Sequence, residues 1–311
     1  MTMMILRRRR IHLSLAGIFG AMIGVVLLPV SVVPAIADDY QANRIHIEYI
    51  PPENPDLRPL YDLIKQRQVL EKLQKLFSPL ELPIELTIQT KECGVSNSWY
   101  TRPTVTLCYE YIRDLANTAP KETSQGGITS LDAVAGQFLF TASHEMGHAV
   151  FDLLDVPLWG GTEEAADQFA AYILLRIGKQ DASKLIEGAA YMYKEYVEHP
   201  NVTVPVTAFA DIHGAPMQRL YNLLCISYGA EPDVFSNLVQ RGFLPQARAH
   251  SCRMEYNEVN FAFQKTIEPH VDQKLAAEVL SEDWVPPPNT PPPTMSDNPG
   301  AGRTARPMPP Q

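Results

Sequence analysis

The segment FTASHEMGHAVFD at residues 140–152 places two histidines four residues apart, with a glutamate directly after the first. Residues four apart lie on one face of a helix, so the imidazoles of His144 and His148 can reach one metal ion. The carboxylate of Glu145 can then take a proton from a metal-activated water. This H-E-x-x-H pattern is typical of zinc peptidases. The alternative is a buried helix that contains these letters by chance, and the motif alone does not exclude it.

A catalytic zinc takes three protein ligands, so a third ligand must come from elsewhere in the chain. The metzincin continuation is excluded because the chain has Phe151 and Leu154 where that class has glycine and histidine or aspartate. The segment GGTEEAAD at 160–167 resembles the E-x-x-x-D helix of the thermolysin-like gluzincins. This resemblance implies Glu163 as the third zinc ligand. It also implies Asp167 as the carboxylate that hydrogen-bonds and orients the first histidine.

The same segment contains a second candidate ligand. Gly161-Thr162-x-Glu164 partly resembles the G-T-x-D segment of the aspzincins, and this resemblance implies Glu164 instead. Glu163 is favoured because its i to i+4 relation to Asp167 gives it a supported geometry. Both acids also fit the first turn of any helix, since the helix dipole favours negative charge there.

A peptidase of this type needs a hydrogen-bond donor for the oxyanion of the tetrahedral intermediate. His213 in the segment DIHG is the candidate, with Asp211 as the residue that orients it. The competing interpretation is a capped helix start with a surface histidine. We expect Arg219 to be structural, and we expect Asp152, four residues past His148, to be a solvated acid.

Over residues 45–270 the chain resembles an uncharacterised bacterial family of metallopeptidases. The likeness lies in the segments LTIQTKECG, TLCYEY, HEMGHAVFDLLDVP, EEAADQFAA and FADIHGAPMQRLYNLLCISYG. It implies a zinc peptidase, with Zn²⁺ as cofactor and a peptide or protein as substrate, and it names no particular substrate. The alternative is a catalytically inactive zincin-fold protein that acts as a binding module or an envelope scaffold.

The pattern of the chain is β-α-β-β followed mainly by helices, which predicts one α+β domain with a small N-terminal sheet. Strands are predicted at 44–50, 82–90 and 104–111, with one amphipathic helix over 57–77. Ser130 is predicted to cap the long helix that contains the metal motif. By analogy with zincins, the strand at 104–111 is expected to be the sheet edge that pairs with an extended peptide.

The first 37 residues have the pattern of a signal peptide. RRRR at 7–10 is followed by an apolar run from Leu13 to Val33 and by Ala35-Ile36-Ala37, a small-x-small cleavage signal. This predicts a secreted or periplasmic protein. The alternative is an uncleaved membrane anchor over residues 11–33, in which case the protein would be attached to the membrane.

Residues 38–283 are then the expected metallopeptidase domain. Residues 284–311 are expected to be a disordered tail, since ten of the last 26 residues are prolines. Removal of residues 1–37 takes away four arginines and no acid, so the net charge changes from −9 to −13. A chain this acidic is a poor partner for nucleic acid or anionic lipid.

Four cysteines, all after residue 90, predict two disulfides in an exported protein. Of the three possible pairings, Cys93–Cys108 and Cys225–Cys252 are preferred because each pair flanks a local turn or helix hairpin. Trp99 and Tyr100 lie inside the first loop. We expect them to cover an edge of the core rather than to line a substrate cleft.

Overall fold

The computed structural model describes residues 40–124, 127–198 and 209–284, all of which belong to one compact unit. Four strands near the start of this unit are followed mainly by helices, so the predicted α+β class is confirmed. The predicted signal peptide, the alternative membrane anchor and the tail from residue 285 onward lie outside the described residues.

One sheet contains the strands β1 (Ile45–Tyr49), β2 (Leu86–Lys91), β3 (Ser98–Thr101) and β4 (Thr104–Cys108). Their order across the sheet is β1-β2-β4-β3. The strands β1, β2 and β4 run parallel, and β3 runs antiparallel to β4. Parallel neighbours need a crossover connection, which helices between β1 and β2 supply.

The edge of the sheet beyond β4 is β3, which the sequence patterns did not predict. The expectation that residues 104–111 form the edge is therefore wrong, because β4 lies between β2 and β3 and the chain turns into a helix at Tyr109. The strand β3 has only four residues and little apolar alternation. Its pairing with β4 makes it a strand, with Ser98 opposite Leu107 and Thr101 opposite Thr104.

The described helices surround one large core cluster, with two smaller clusters beside it. They are α1 (Arg58–Gln66), α2 (Val69–Phe77), α3 (Tyr109–Thr118), α4 (Ser130–Leu153), α5 (Thr162–Arg176), α6 (Lys179–Glu198), α7 (Pro216–Ala230), α8 (Ser236–Gln240), α9 (Gln246–Thr266) and α10 (Gln273–Leu280). Within the described ranges, no helix combines the length and the apolar character that crossing a membrane requires.

Two helices, α1 and α2, occupy the segment that was predicted as one helix over 57–77, so that prediction is wrong. The break lies at Gln68, whose backbone is left-handed with φ 52°. The two apolar faces pack against different partners. Leu60 of α1 packs in the cluster of Tyr109, whereas Leu70 of α2 joins the main core against the sheet. A single straight helix could not present both faces in these directions.

The long helix α4 lies at the centre of the fold and contains the H-E-x-x-H motif. It begins with a capping box in which Thr129 and Asp132 exchange hydrogen bonds, so the cap is Thr129 and not the predicted Ser130. The helices α5 and α6 and the strands β3 and β4 all contact α4. Polar side chains in its middle are therefore buried together with the apolar ones, including His144 and Glu145.

Two disulfides, Cys93–Cys108 and Cys225–Cys252, confirm the predicted pairing. The first joins the loop before β3 to the end of β4, and the second joins α7 to α9. Disulfides form and persist in oxidising surroundings, so these two indicate an extracellular or periplasmic environment.

The crossing of α4 over α6 depends on two glycines. A Cβ on Gly188 would lie 2.0 Å from the carbonyl oxygen of Asp132, and a Cβ on Gly136 would lie 2.2 Å from that of Leu185. We expect Gly188→Ala to push the helices apart and to lower the free energy of unfolding by about 1–3 kcal/mol, measured by urea denaturation. Gly160→Ala is the control, because a Cβ there meets nothing within 4 Å. An unchanged unfolding midpoint for Gly188→Ala would contradict this close crossing.

Candidate functional site

A cleft of about 490 Å³ opens beside the metal motif, between α4 and the strand β3. The chain leaves α4 at Leu153, turns over residues 154–161 and begins α5 at Thr162, which brings the first turn of α5 back to the histidines. The cleft is lined by Val95, Ser96, Asn97, Ser98, Trp99, Tyr100, Glu145, His148, Asp152, Glu163 and His213.

Three side chains present ligand atoms to one point. The Nε2 atom of His144 lies 3.1 Å from Nε2 of His148 and 3.1 Å from Oε2 of Glu163. The Nε2 atom of His148 lies 3.3 Å from the same carboxylate oxygen. Zinc bonds of roughly 2.0–2.1 Å at tetrahedral angles would set neighbouring ligand atoms about 3.3 Å apart. The three atoms therefore match the edges of such a site, and this group can hold a metal ion.

The two other acidic candidates of α5 take different places. Glu164 is exposed and faces Asn222, whose Nδ2 lies 3.4 Å from its Oε1, so it is outside the group of three ligand atoms. Asp167 is buried, and its Oδ1 lies 2.8 Å from Nδ1 of His144. This contact fixes the orientation of the ring and leaves Nε2 of His144 facing His148 and Glu163.

Behind Asp167 lies Arg219 of α7, a residue whose connection to the site the sequence did not reveal. Its guanidinium donates two hydrogen bonds of 2.7 Å, one to each carboxylate oxygen of Asp167, and packs over the ring of Tyr193. Both ionic side chains are buried, and a buried charge is stable only with such a partner. Arg219 therefore positions His144 through Asp167. The sequence signal for this role is the position of the arginine on the apolar face of α7, next to Leu220, where a charged residue needs a buried partner.

Charge pairing sets the protonation of this cluster. Burial would lower the pKa of His144, but its hydrogen bonds with Asp167 and Glu163 outweigh burial and raise the pKa to about 9. Burial would raise the pKa of Asp167, but Arg219 and His144 hold that pKa at about 2. Burial also opposes ionisation of Glu163, yet hydrogen bonds with three histidines lower its pKa well below the usual range. A metal ion held by these ligands would therefore compete with the proton on His144.

Glu145 lines the cleft beside the three ligand atoms and is not one of the group. The residue is 5% exposed, and burial raises the pKa of its carboxyl group while the neighbouring histidines partly oppose this rise. A carboxylate with a raised pKa beside a metal position is suited to accepting a proton from water.

His213 precedes α7 and approaches the group from another side of the cleft. Its Nε2 lies 3.1 Å from Oε2 of Glu163, and its Nδ1 lies 2.9 Å from Oδ1 of Asp211. Only 22% of its side chain is exposed, so it is not a surface histidine. Burial would lower the pKa of His213, but its hydrogen bonds with Glu163 and Asp211 raise it.

The wall opposite the metal motif is the loop and edge strand 95–100. Trp99 and Tyr100 pack against the core clusters, as expected. They also line the cleft, so the expectation that they do not line it is wrong. The disulfide partner Cys93 holds the base of this wall. The buried carboxylate of Glu110 adds a second tie, because it accepts hydrogen bonds from the backbone N–H groups of Cys93 and Gly94.

Asp152 is held in place, although it was expected to be a solvated acid. Its Oδ2 accepts a hydrogen bond of 2.7 Å from the hydroxyl group of Tyr100, and its Oδ1 lies 3.4 Å from Nη1 of Arg102. Burial and the hydrogen bond to Asp152 raise the pKa of Tyr100, so the hydroxyl keeps its proton and remains the donor. The contact joins the two walls of the cleft one helical turn beyond His148.

Residues 49–266 match the family described as "Putative metallopeptidase". The match spans more than half of the 311 residues, so the chain belongs to this family, as the resemblance predicted. Membership implies a metal ion, which His144, His148 and Glu163 can bind, and a peptide or protein as substrate. No curated protein and no solved structure matches the chain.

The ion pair between Arg219 and Asp167 can be tested by removing one charge or both. In Arg219→Met, the carboxylate of Asp167 stays buried without its partner, and we expect the free energy of unfolding to fall by about 3–5 kcal/mol. The looser orientation of His144 should weaken metal affinity about 10–100-fold, measured by competition with a chelator. The double variant Arg219→Met/Asp167→Leu should regain much of the stability but none of the affinity. A single variant as stable as the wild type would contradict this role.

Proposed function

We propose that this protein is a zinc-dependent peptidase in which Glu145 is the general base. The observation that supports the proposal best is the convergence of ligand atoms from His144, His148 and Glu163 in an open cleft, beside a buried glutamate. Membership of a metallopeptidase family supports the same class of enzyme.

Two imidazoles and one carboxylate form a donor set that catalytic zinc takes, with one position left open. His144, His148 and Glu163 would hold the ion, and Asp167 would orient the first histidine. When bound, zinc supplies Lewis acidity, which polarises the scissile carbonyl and lowers the pKa of a water molecule.

Glu145 is proposed to move the protons of the reaction. Its carboxylate accepts the proton of the attacking water and later delivers it to the nitrogen of the leaving amine. The buried position of Glu145 favours the first of these steps, because the raised pKa of its carboxyl group makes the carboxylate a stronger base.

His213 is proposed to stabilise the oxyanion. Asp211 holds Nδ1 of His213 at 2.9 Å, which keeps Nε2 directed toward the group of ligand atoms. A donor fixed beside the place where negative charge develops stabilises the transition state without a further cost of reorganisation.

The substrate is proposed to be an extended peptide or protein segment outside the cytoplasm. In the described part of the chain, no strand pairs with the outer edge of β3, whose backbone can therefore pair with an extended substrate in the cleft. Export by the predicted signal peptide over residues 1–37 would deliver the enzyme to the oxidising compartment that its two disulfides indicate.

One contact favours a second function, that of a zincin-fold binding protein with a structural metal. The Nε2 atom of His213 lies 3.1 Å from the same oxygen of Glu163 that faces His144 and His148. If His213 served as a fourth protein ligand, no position would remain for water, as in structural zinc sites.

The adjacent residues Glu163 and Glu164 provide a matched test of the metal site. We expect about one zinc per chain in the wild type. Glu163→Gln should weaken zinc affinity by at least about 100-fold, because it removes the ligand carboxylate. Glu164→Gln removes the same charge from a side chain that faces Asn222 and not the histidines, so this variant should keep the wild-type zinc affinity. Elemental analysis measures the zinc content, and chelator competition measures the zinc affinity. Equal affinities in the two variants would contradict the proposed ligand set.

The role of Glu145 predicts a separation of metal binding from activity. Glu145→Gln should keep zinc and lower kcat by about 10²–10⁴, measured with quenched fluorescent peptides. Full activity in this variant would contradict the proposed mechanism.

The role of His213 predicts a similar separation. His213→Gln should also keep zinc, while kcat falls by about 10²–10³-fold. A loss of zinc from His213→Gln would instead support the binding protein with a closed metal site.

A further inference from the structure

We infer that the cleft recognises the free α-amino group of its substrate through Asp152, which would make the protein an aminopeptidase that releases one residue at a time. The inference rests on the proposed peptidase function and adds the class of substrate. It follows from the direction of β3 relative to α4, from the closed end of the cleft and from the charge at that end.

The direction of β3 is fixed by contacts at its two ends. Its first residue, Ser98, pairs with Leu107 near the end of β4. Just beyond β4, the hydroxyl of Tyr111 lies 2.6 Å from Oγ1 of Thr141, so this end of the strands is near Thr141 on α4. At the other end, the hydroxyl group of Tyr100 bonds to Asp152, eleven residues further along α4. The strand β3 therefore runs in the direction from Thr141, in the middle of α4, toward Asp152 near its end.

This direction decides which end of a substrate meets Asp152. Antiparallel pairing is the slightly more stable way to add a strand to an edge. A peptide that pairs antiparallel with β3 enters with its N-terminal side at Asp152, and its C-terminal side extends past Glu145 toward Thr141.

The cleft has little room on the N-terminal side of the metal position. The metal position lies between His144 and His148, so Asp152 is about 9 Å further along the helix axis. A hydrogen bond of about 2.9 Å from the α-ammonium group to Asp152 takes up part of this distance. An extended residue spans about 3.4 Å, so fewer than two residues fit between the metal position and that hydrogen bond. The hydrogen bond between Tyr100 and Asp152 joins the two walls at this point. Arg102 contacts Asp152 from outside the cleft, since it is not among the residues that line the cleft.

The closed end has the charge that an ammonium group requires. Asp152 accepts the hydrogen bond of Tyr100 and pairs with Arg102, and its side chain is 38% exposed. A carboxylate has about four acceptor positions, and these two neighbours occupy two of them. An α-ammonium group offers its charge and three donors to the remaining positions. An acetylated N-terminus would bring neither the charge nor the three donors.

The proposed reaction is the hydrolysis of the first peptide bond. Water supplies the oxygen that bonds to the carbonyl carbon of residue one, and the C–N bond to residue two breaks. The proton taken by Glu145 goes to the departing nitrogen, so the products are a free amino acid and a peptide shorter by one residue.

The test compares one peptide with a free N-terminus and the same peptide N-acetylated, using the zinc-loaded full chain. We expect stepwise release of N-terminal residues and a kcat/KM at least about tenfold lower for the acetylated peptide. Asp152→Asn should lower kcat/KM for the free peptide by about 10–100-fold, mainly through KM, and should remove most of the preference for the free over the acetylated peptide. The control is Asp155→Asn, which removes the same charge at an exposed position that does not line the cleft.

Equal cleavage of internal bonds in both peptides, or release of residues from the C-terminus, would overturn the inference. If the wild type hydrolyses no peptide, the proposed function fails, and the inference is then decided by binding. The zinc-loaded Glu145→Gln variant should bind the free peptide at least about tenfold more tightly than the acetylated one. Equal affinities would overturn recognition of the α-amino group whatever the outcome for catalysis.

Discussion

The fold around the candidate metal centre depends on one buried carboxylate, Asp167. It accepts hydrogen bonds from His144 on α4 and from Arg219 on α7, while it belongs itself to α5. Since a buried charge is stable only when it is paired, the three helices must meet in one arrangement. That arrangement directs His144 Nε2 toward His148 and Glu163, so the geometry of the ligand atoms and the packing of the helices have a common origin.

The burial of α4 explains why the site needs so much support. The helix lies between other helices and the sheet, and its motif places two imidazoles and one carboxylate within or next to the core. Helices can approach such a helix closely only where side chains are absent, which accounts for Gly136 and Gly188 at the crossing with α6. The open side of α4 faces the cleft, so water and substrate can reach the polar groups from that direction.

The two walls of the cleft are stabilised by different means. The helical wall is held by the packed core behind α4 and α5. The wall formed by residues 95–100 belongs to an edge strand of four residues, which is too short to hold a fixed position through its ladder alone. A disulfide, the carboxylate of Glu110 and the contact from Tyr100 to Asp152 supply the missing constraints. This wall is therefore tied at its base and at its far end, and the interval between the two ties is where an extended substrate would lie.

The sequence by itself determined the features that depend on neighbouring residues. These are the helical H-E-x-x-H face, the second helix with Glu163 and Asp167, the α+β class and both disulfides, each within one local loop. Periodicity and short-range spacing are enough for such features because the backbone geometry of a helix or a short loop fixes which side chains are near each other.

Only the tertiary structure decided which of two adjacent acids faces the histidines, because successive helix residues differ by about 100° in direction and the packing of α5 sets the rotation. It also decided the partner of Asp167, which is 52 residues away, and the strand β3, which exists through its pairing with β4. The break at Gln68 has the same cause, since two apolar faces with different partners cannot share one helix axis. Each of these features rests on contacts between distant residues, and one sequence contains no direct record of such contacts.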